Sequence, residues 1–598
     1  MGPLYCRLPM SLTAKLHSFK TFVGRVWALT LPYFQSEQRW QARGLLAAIV
    51  ALNLGAVYML VLLNDWNRVF YDALQDKNEA VFWRELMRFI YLAFAFILIA
   101  VYRFYLTQML ELRWRSWMTR HYLTRWLGEH RFYRMELARY ASAGGQAPDN
   151  PDQRIQEDLN LFTAYTVSLS MGLLNAVVTL ASFVGILWSL SGDFSFTLAG
   201  QSYQIEGFMV WMAVLYCAAG SLLTHYIGRP QIALNFMQQR YEADFRHHLV
   251  RVREYSESIA LDAGQTVERE HLDLRFSRVM SNYLQLMKKQ KNLVWFTNFF
   301  GQAATVFPFV VAAPRFFSGA IALGQLMQIA SAFGRVQDAL SWFVDNYSTL
   351  AAWRATTDRL TSFEAHLQAQ HAPPAVERHT DAAQDHLQAS DLSLSLPSGK
   401  TLLTDLQLQV QPGDSVLLQG PSGSGKSTLF RVLAGIWPFA RGRIQMPADV
   451  MFIPQRPYFP DGRLREALAY PESAGRFTDQ QLEQALREAL LPQLVGRLDD
   501  EDAWTQKLSG GEQQRLAIAR VLLKQPRWVF ADEATSALDP QAEQVLYERL
   551  RSLTRQAGGA LVSIAHRPAV AAFHQSRWEL LSQPAGSAAA YRLVQQPA

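Results

Sequence analysis

The chain has 598 residues, too many for one hydrophobic core and enough for about three to five domain-sized units. Half of them are hydrophobic and 12% aromatic, yet the mean hydropathy is close to zero, so strongly apolar segments must be diluted by a part that faces water. With only Cys6 and Cys217 present, neither a disulfide framework nor a cysteine metal site is supported, and the net charge of +6 suggests nucleic acid until its distribution along the chain is considered.

Residues 1–43 mix basic and aromatic side chains (Arg25, Trp27, Tyr33, Arg39, Trp40) as an amphipathic segment lying at a membrane surface does. The first long apolar run begins near Gly44, so no cleaved signal is expected. Residues 44–63 carry no charge over a length that crosses the hydrocarbon core. Further spans are expected at 89–110, 164–190, 208–227, 292–313 and 321–344, the last being the most polar. Lys and Arg number six, eight and eleven in 1–43, 111–163 and 228–291, against four, none and one in 64–88, 191–207 and 314–320. Basic flanks stay cytoplasmic, so both termini are expected inside. The excess charge then reads as a topology signal, and no nucleic-acid partner is expected, since that needs a basic face on the soluble part. Gln325, Gln328, Ser331, Arg335 and Asp338 fall on one face of the last span, where they are expected to line a polar path.

The expected fold class is therefore an α-helical membrane domain with six transmembrane helices over 44–360, followed by an α/β domain over 386–598 in which strands alternate with helical stretches. Residues 361–385, polar and holding Pro373-Pro374, read as the linker.

In the second part, 415–419 (SVLLQ) is a strand-length apolar run and 428–434 has helical spacing. Between them Gly420-Pro421-Ser422-Gly423-Ser424-Gly425-Lys426-Ser427 matches G-x-x-x-x-G-K-[ST], the phosphate-binding P-loop. The glycines let backbone N–H groups converge on phosphate oxygens at a helix N-terminus. Lys426 reaches the β/γ phosphates, Ser427 ligates Mg2+, and Thr428 continues the site, so ATP and Mg2+ are the expected cofactors. Further on, 528–531 (WVFA) is an apolar strand ending in Asp532-Glu533: one carboxylate supports Mg2+ through water and the next sits at the attacking water.

Leu508-Ser509-Gly510-Gly511-Glu512-Gln513 between these elements resembles the signature of the ABC ATPase domain. The resemblance extends to Gln455 after an apolar run, to Ser536-Ala537-Leu538-Asp539, and to His566 after the strand 560–565. It implies that Gln455 senses the metal and water, Glu533 polarises the water and His566 contacts the γ-phosphate. It also implies that Ser509, Gly510 and Gly511 complete the site of a second copy, with Asp539 beside it, so a homodimer is implied. The expected activity is ATP hydrolysis.

Six spans with long cytoplasmic connections before one ATPase domain resemble an ABC half-transporter of exporter architecture. Asn64-Asp65-Trp66-Asn67, Phe70-Tyr71-Asp72-Ala73-Leu74, Asn150-Pro151-Asp152-Gln153-Arg154-Ile155 with Glu157-Asp158, and Glu257-Ser258-Ile259-Ala260 with Gly264 and Glu268 narrow the group, as do Gly435-Ile436-Trp437-Pro438 and Pro454-Gln455-Arg456-Pro457-Tyr458. They resemble the subfamily D half-transporters, which move acyl-CoA and fatty acids, and their bacterial relatives for uptake of cobalamin and peptide antibiotics. The expected function is ATP-driven transport of a bulky solute, cobalamin-like or a peptide antibiotic, inward across a bacterial inner membrane; the alternatives are an acyl-chain substrate or export. Segments 150–158 and 257–268 are expected to dock on the ATPase domain. Leu396 stands where many ABC domains carry an adenine-stacking aromatic. A soluble ABC ATPase would share the ATPase motifs but not the spans, and a channel using ATP only as a ligand would not need Glu533 and His566.

Overall fold

A long apolar segment away from water has to satisfy its backbone internally, and the helix is the local way to do so. The computed structural model describes residues 12–141, 150–191, 194–198, 201–369, 376–380, 385–584 and 586–597. Its first half is helical: α1 (Leu12–Gln35), α2 (Arg39–Gln75), α3 (Glu79–Leu127), α4 (Arg131–Ala141), α5 (Leu159–Ser191), α6 (Phe208–Glu254), α7 (Ser256–Leu261), α8 (Gln265–Phe317), α9 (Leu323–Asp345) and α10 (Tyr347–Ala369). A turn of π-helix, Arg154–Asp158, leads into α5, and a hairpin of β1 (Phe194–Leu198) and β2 (Gln201–Ile205) follows it. Among the described residues, five helical stretches are long and apolar enough to cross a membrane: Arg39–Gln75, Glu79–Ala138, Pro151–Ser191, Phe208–Glu254 and Gln265–Phe317. The sixth expected span, 321–344, is a helix too, α9, but is not among these five.

The chain divides into two compact units, Met1–His121 with Asp152–Thr361, and Tyr122–Pro151 with Ser362–Ala598. In the first, α9 is the element its neighbours wrap. Leu326, Ile329, Ala332, Phe333 and Val336 are buried against Phe183 and Leu187 of α5, Met209 and Ala213 of α6 and Ala312 of α8. The helix lacks an N-cap side-chain bond of its own. Its free N–H groups are met from α2: Leu323 N donates to Gln75 Oε1 (2.7 Å) and Gly324 N donates to Asp72 Oδ1 (2.8 Å). Higher up, Asn64 Nδ2 donates to the Gln328 carbonyl (3.2 Å). Asn64 and Asp72, singled out in the sequence as group-specific, are thus, with Gln75, among the groups that tie α2 to α9. Gln328 is buried while Arg335 and Asp338 are exposed, so the polar face expected on this helix is divided by packing. The 150–158 segment is also used internally, since Asp158, buried, accepts from Arg154 and from Arg359 Nε (3.0 Å) on α10. Of the aromatics expected at a surface, Trp27 is exposed, whereas Tyr33 is buried and stacks on Trp114 with ring centroids 5.9 Å apart.

The second unit holds an α/β layer. Its strands are β3 (Val376–Thr380), β4 (Leu387–Ser395), β5 (Thr401–Val410), β6 (Ser415–Gln419), β7 (Ala440–Met446), β8 (Val450–Ile453), β9 (Trp528–Asp532), β10 (Leu561–Ile564), β11 (Ser576–Ser582) and β12 (Tyr591–Pro597). Its main helices are α11 (Lys426–Leu433), α12 (Leu464–Ala469), α13 (Asp479–Glu488), α14 (Gly510–Lys524) and α15 (Pro540–Gln556). One sheet runs β12-β11-β6-β10-β9-β8, parallel except for β12, and a second runs β3-β7-β4-β5. Strands covered on both faces need unbroken apolar runs, and β9 and β10 are buried at every position. Residues 361–369 of the expected linker are helical and 376–380 form β3 against β7, while Pro373-Pro374 lie outside the described residues.

A Cβ at Gly324 would overlap the Arg68 backbone carbonyl of α2, so Gly324→Ala forces the two helices apart. Its expected cost is about 1–3 kcal/mol, read as a lower thermal midpoint of the detergent-solubilised protein. His574, buried before β11, donates Nδ1–H to the Val570 carbonyl (2.9 Å), and burial depresses its pKa from 6.5 to about 4. The unfolded chain therefore takes up this proton first as pH falls. About 3 kcal/mol of stability, fully present above pH 6.5, is expected to drain away towards pH 4. Thermal midpoints measured across that window should fall more steeply in the wild type than in His574→Asn, whose amide keeps the hydrogen bond without titrating.

Candidate active site

Parallel pairing fixes what stands at the carboxyl end of the sheet, the edge where α/β proteins bind ligands. Because β8, β9, β10 and β6 are consecutive neighbours, the residues following each strand form one row: Gln455 after β8, Asp532-Glu533 at the end of β9, His566 after β10 and the 420–427 loop after β6. Glu533 is the centre of that row. Its Oε2 accepts from Gln455 Nε2 at 2.8 Å, and its Oε1 lies 3.2 Å from His566 Nε2. The backbone is held as well, Glu533 N donating to the Ile564 carbonyl (3.0 Å). Its φ of 49° is a left-handed conformation that costs a non-glycine residue about 1–3 kcal/mol and persists only where surroundings enforce it. The carboxylate is three-quarters covered at 21% exposure, while His566 is half exposed at 51%, so the group reaches solvent on the histidine side.

The loop curls around a lysine. Lys426 Nζ donates to the carbonyls of Gly420 (2.9 Å) and Pro421 (3.0 Å), and burial lowers its pKa against the pull of Glu533 and Asp532. Gly425 starts α11 at φ 94°, where a Cβ would stand 2.8 Å from Leu402 Cδ1. Only glycine meets both demands. Ser424 Oγ is buried without a hydrogen-bond partner among the described residues, and Thr428 is buried in the first turn of α11. Burial raises the Asp532 carboxyl above its ordinary pKa against a hydrogen bond from Ser427, and Asp532 Oδ1 has no hydrogen-bond partner among the described residues. Two adjacent carboxylates, an unpaired buried oxygen and a serine hydroxyl are hard oxygen donors short of positive charge, a set that fits Mg2+.

Ser509 caps α14 by a reciprocal pair of bonds with Glu512. Gly511 lets that helix approach the Ala537 carbonyl, which a Cβ would meet at 3.1 Å. Among the described residues no hydrogen bond joins Ser509, Gly510 or Gly511 to the 420–428 segment. Asp539 caps α15, accepting from Ala542 N at 2.9 Å. Leu396 packs against the core beside β4.

One residue was not anticipated. Buried Gln514 donates to the Glu533 carbonyl (3.2 Å) and Ser536 Oγ (2.9 Å) and accepts from Ala537 N (2.8 Å). It thereby connects the signature helix to both carboxylate strand and following loop. Its position next to the signature was the available signal, but its partners become neighbours only through the sheet.

A family profile described as ABC transporter transmembrane region 2 matches residues 29–317, and one described as ABC transporter matches 403–536. The inner membrane ABC transporter ATP-binding protein YddA of Escherichia coli is 35% identical over 557 residues, covering 92% of this chain and 96% of that protein. ABC transporter D family member 2, chloroplastic, of Arabidopsis thaliana is 32% identical, covering 94% and 86%. The chain belongs to the ABC transporters, in subfamily D. It is an ATPase with an ATP-binding domain and a membrane-embedded helical domain. The human lysosomal cobalamin transporter ABCD4 is 28% identical, covering 79% of this chain and 82% of that protein. A structure of a bacterial Atm1-family ABC exporter with ATP bound shares the fold, with a TM-score of 0.66 at 18% identity over 91% of this chain and 94% of that one.

Replacing Gln514 by Leu removes three hydrogen bonds and leaves Ala537 N unpaired, while the Glu533 carbonyl keeps, among the described residues, only its bond from Ser536 N (3.1 Å). The transporter is expected to lose about 1–3 kcal/mol, visible as a lower thermal midpoint, together with part of its ATPase rate as Glu533 loses backbone support.

Proposed function

We propose that two copies of this chain form an ATP-driven transporter that moves a bulky solute, cobalamin-like or a peptide antibiotic, inward across the bacterial inner membrane with both termini cytoplasmic. The observation that carries the hydrolytic reading is Glu533, gripped by Gln455 and His566 at the ends of neighbouring strands. In this reading 1–43 lies at the interface, 44–360 forms six spans, 361–385 links, and 386–598 binds nucleotide.

The 420–428 backbone and Lys426 hold the phosphates of ATP, with Lys426 exchanging its loop carbonyls for phosphate oxygens. Ser427, Asp532 and Gln455 would hold Mg2+, which supplies charge neutralisation for the phosphates when bound. Glu533 accepts the proton of the attacking water as general base, oriented by Gln455, and His566 contacts the γ-phosphate. Ser509, Gly510 and Gly511 offer the N-terminus of α14, a positive dipole end with free N–H groups, to the ATP of the second copy, with Asp539 alongside. This accounts for a signature with no hydrogen bond to its own loop. The exposed α7 and the solvent-facing side chains of 150–158 remain available for docking. The solute reading draws on the cobalamin transporter among the relatives.

Glu533→Gln is expected to keep ATP binding and lose turnover by about 100-fold or more. Uptake of labelled cobalamin and of a proline-rich or glycopeptide antibiotic would be measured in bacteria lacking their own routes, expressing either form. Uptake with the active form alone supports the reading; equal accumulation with both contradicts ATP coupling. No uptake by a membrane-inserted, ATP-hydrolysing protein would favour an acyl-chain substrate or export.

A further inference from the structure

Past their apolar stretches, α6 and α8 continue side by side to the turn that carries α7. Their register is pinned by Asn282 of α8, whose Nδ2 donates to the Leu234 carbonyl (3.0 Å) and Gln238 Oε1 (2.9 Å) of α6. That register brings His248 of α6 against Glu268 and His271 of α8. The latter two are three residues apart and so share a helical face. One ligand atom from each of the three lies within 4.8 Å of the others. The imidazoles are not stacked, their centroids being 5.9 Å apart at 73°. His248 Nε2 is buried and 2.7 Å from Glu268 Oε2, yet no well-directed hydrogen bond engages it among the described residues.

We propose that His248, Glu268 and His271 form a binding site for a divalent transition-metal ion, Zn2+ being the best match. Two imidazoles and one carboxylate with a fourth position left to water is a known zinc donor set; bonds of about 2.0–2.1 Å put tetrahedral ligand atoms about 3.3 Å apart, so the 2.7 Å His248–Glu268 pair opens and the trio, now within 4.8 Å, closes by side-chain rotation when the ion binds. A single carboxylate supplies too few oxygens for Ca2+ or Mg2+, whereas imidazole nitrogen favours zinc and its neighbours in the series. Arg251 and Arg275 border the cluster on a cavity of about 390 Å³ that His248, Glu268 and His271 all line, which gives access and room for the fourth ligand. Arg275 Nη1 donates to the His271 carbonyl (3.2 Å), directing that head group to the backbone. A metal here would tie α6 to α8 across the base of α7 and restrict the segment assigned above to docking. Binding itself does not depend on that assignment.

The test uses full-length, tag-free protein in detergent, stripped of metal, loaded with Zn2+ and desalted, with metal content measured by mass spectrometry and the site's geometry by Co2+ visible absorption. One ion per chain is expected in the wild type and in His247→Ala, a neighbouring histidine outside the trio. Metal content and the tetrahedral Co2+ bands should be lost in His271→Ala, whose exposed side chain is not needed for folding, and in His248→Ala/His271→Ala. Zn2+ should raise the thermal midpoint of the wild type and of His247→Ala, and leave those of His271→Ala and His248→Ala/His271→Ala unchanged. Equal zinc in wild type and His271→Ala, or no zinc retained by the wild type, would overturn the proposal.

Discussion

The pairing of Trp528–Asp532 with Val450–Ile453 on one side and Leu561–Ile564 on the other is the constraint on which the ATPase half depends. Parallel strands start and stop in register, so three chain segments far apart in sequence end at one line. Gln455, Glu533 and His566 become neighbours because of where their strands stop. The left-handed backbone at Glu533 then turns the carboxylate out of the sheet between two partners. The strain is tolerated because its peptide is bonded on both sides, to Ile564 and to Gln514. The Glu533 carboxylate is thus fixed by the fold itself, through Gln455, His566 and the strand it ends.

Charge in this site is arranged against solvation. Burial pushes Asp532 up and Lys426 down, so each disfavours its own ionised form while the opposite charge nearby favours it. A balance of this kind leaves Lys426 and Asp532 each responsive to any charge brought near them. Gly425 is required for a steric reason: a side chain there would push Leu402 away from the start of α11.

In the membrane half, hydropathy and burial part company. The helix Leu323–Asp345 is not among the five apolar enough to cross a membrane, yet its neighbours pack around it and Gly324, Ile329, Ala332, Phe333 and Val336 are buried. A helix enclosed by other helices need not be lipid-compatible, because its polar groups find protein partners. Asn64, Asp72 and Gln75 of α2 supply some of these, a helix end capped from a different helix.

The local motifs were legible in the sequence because each states its chemistry within a few residues. The strand before the P-loop, Asp532-Glu533, the signature and the five most apolar helices all follow from residue type and spacing. The exit of the chain into β3 through the supposed linker was not legible, since five residues gain strand structure only from their partner Ala440–Met446. Nor were the roles of Gln514, Asp72 and Asp158, or the meeting of His248 with Glu268 and His271, whose partners lie on other elements. Sequence alone determined the apolar helices and strands and the residue types the loops carry, because hydrophobic periodicity and short motifs are local. Only the tertiary structure decided which polar groups are paired, buried or left open, because those depend on the register of strands and helices brought together from distant parts of the chain.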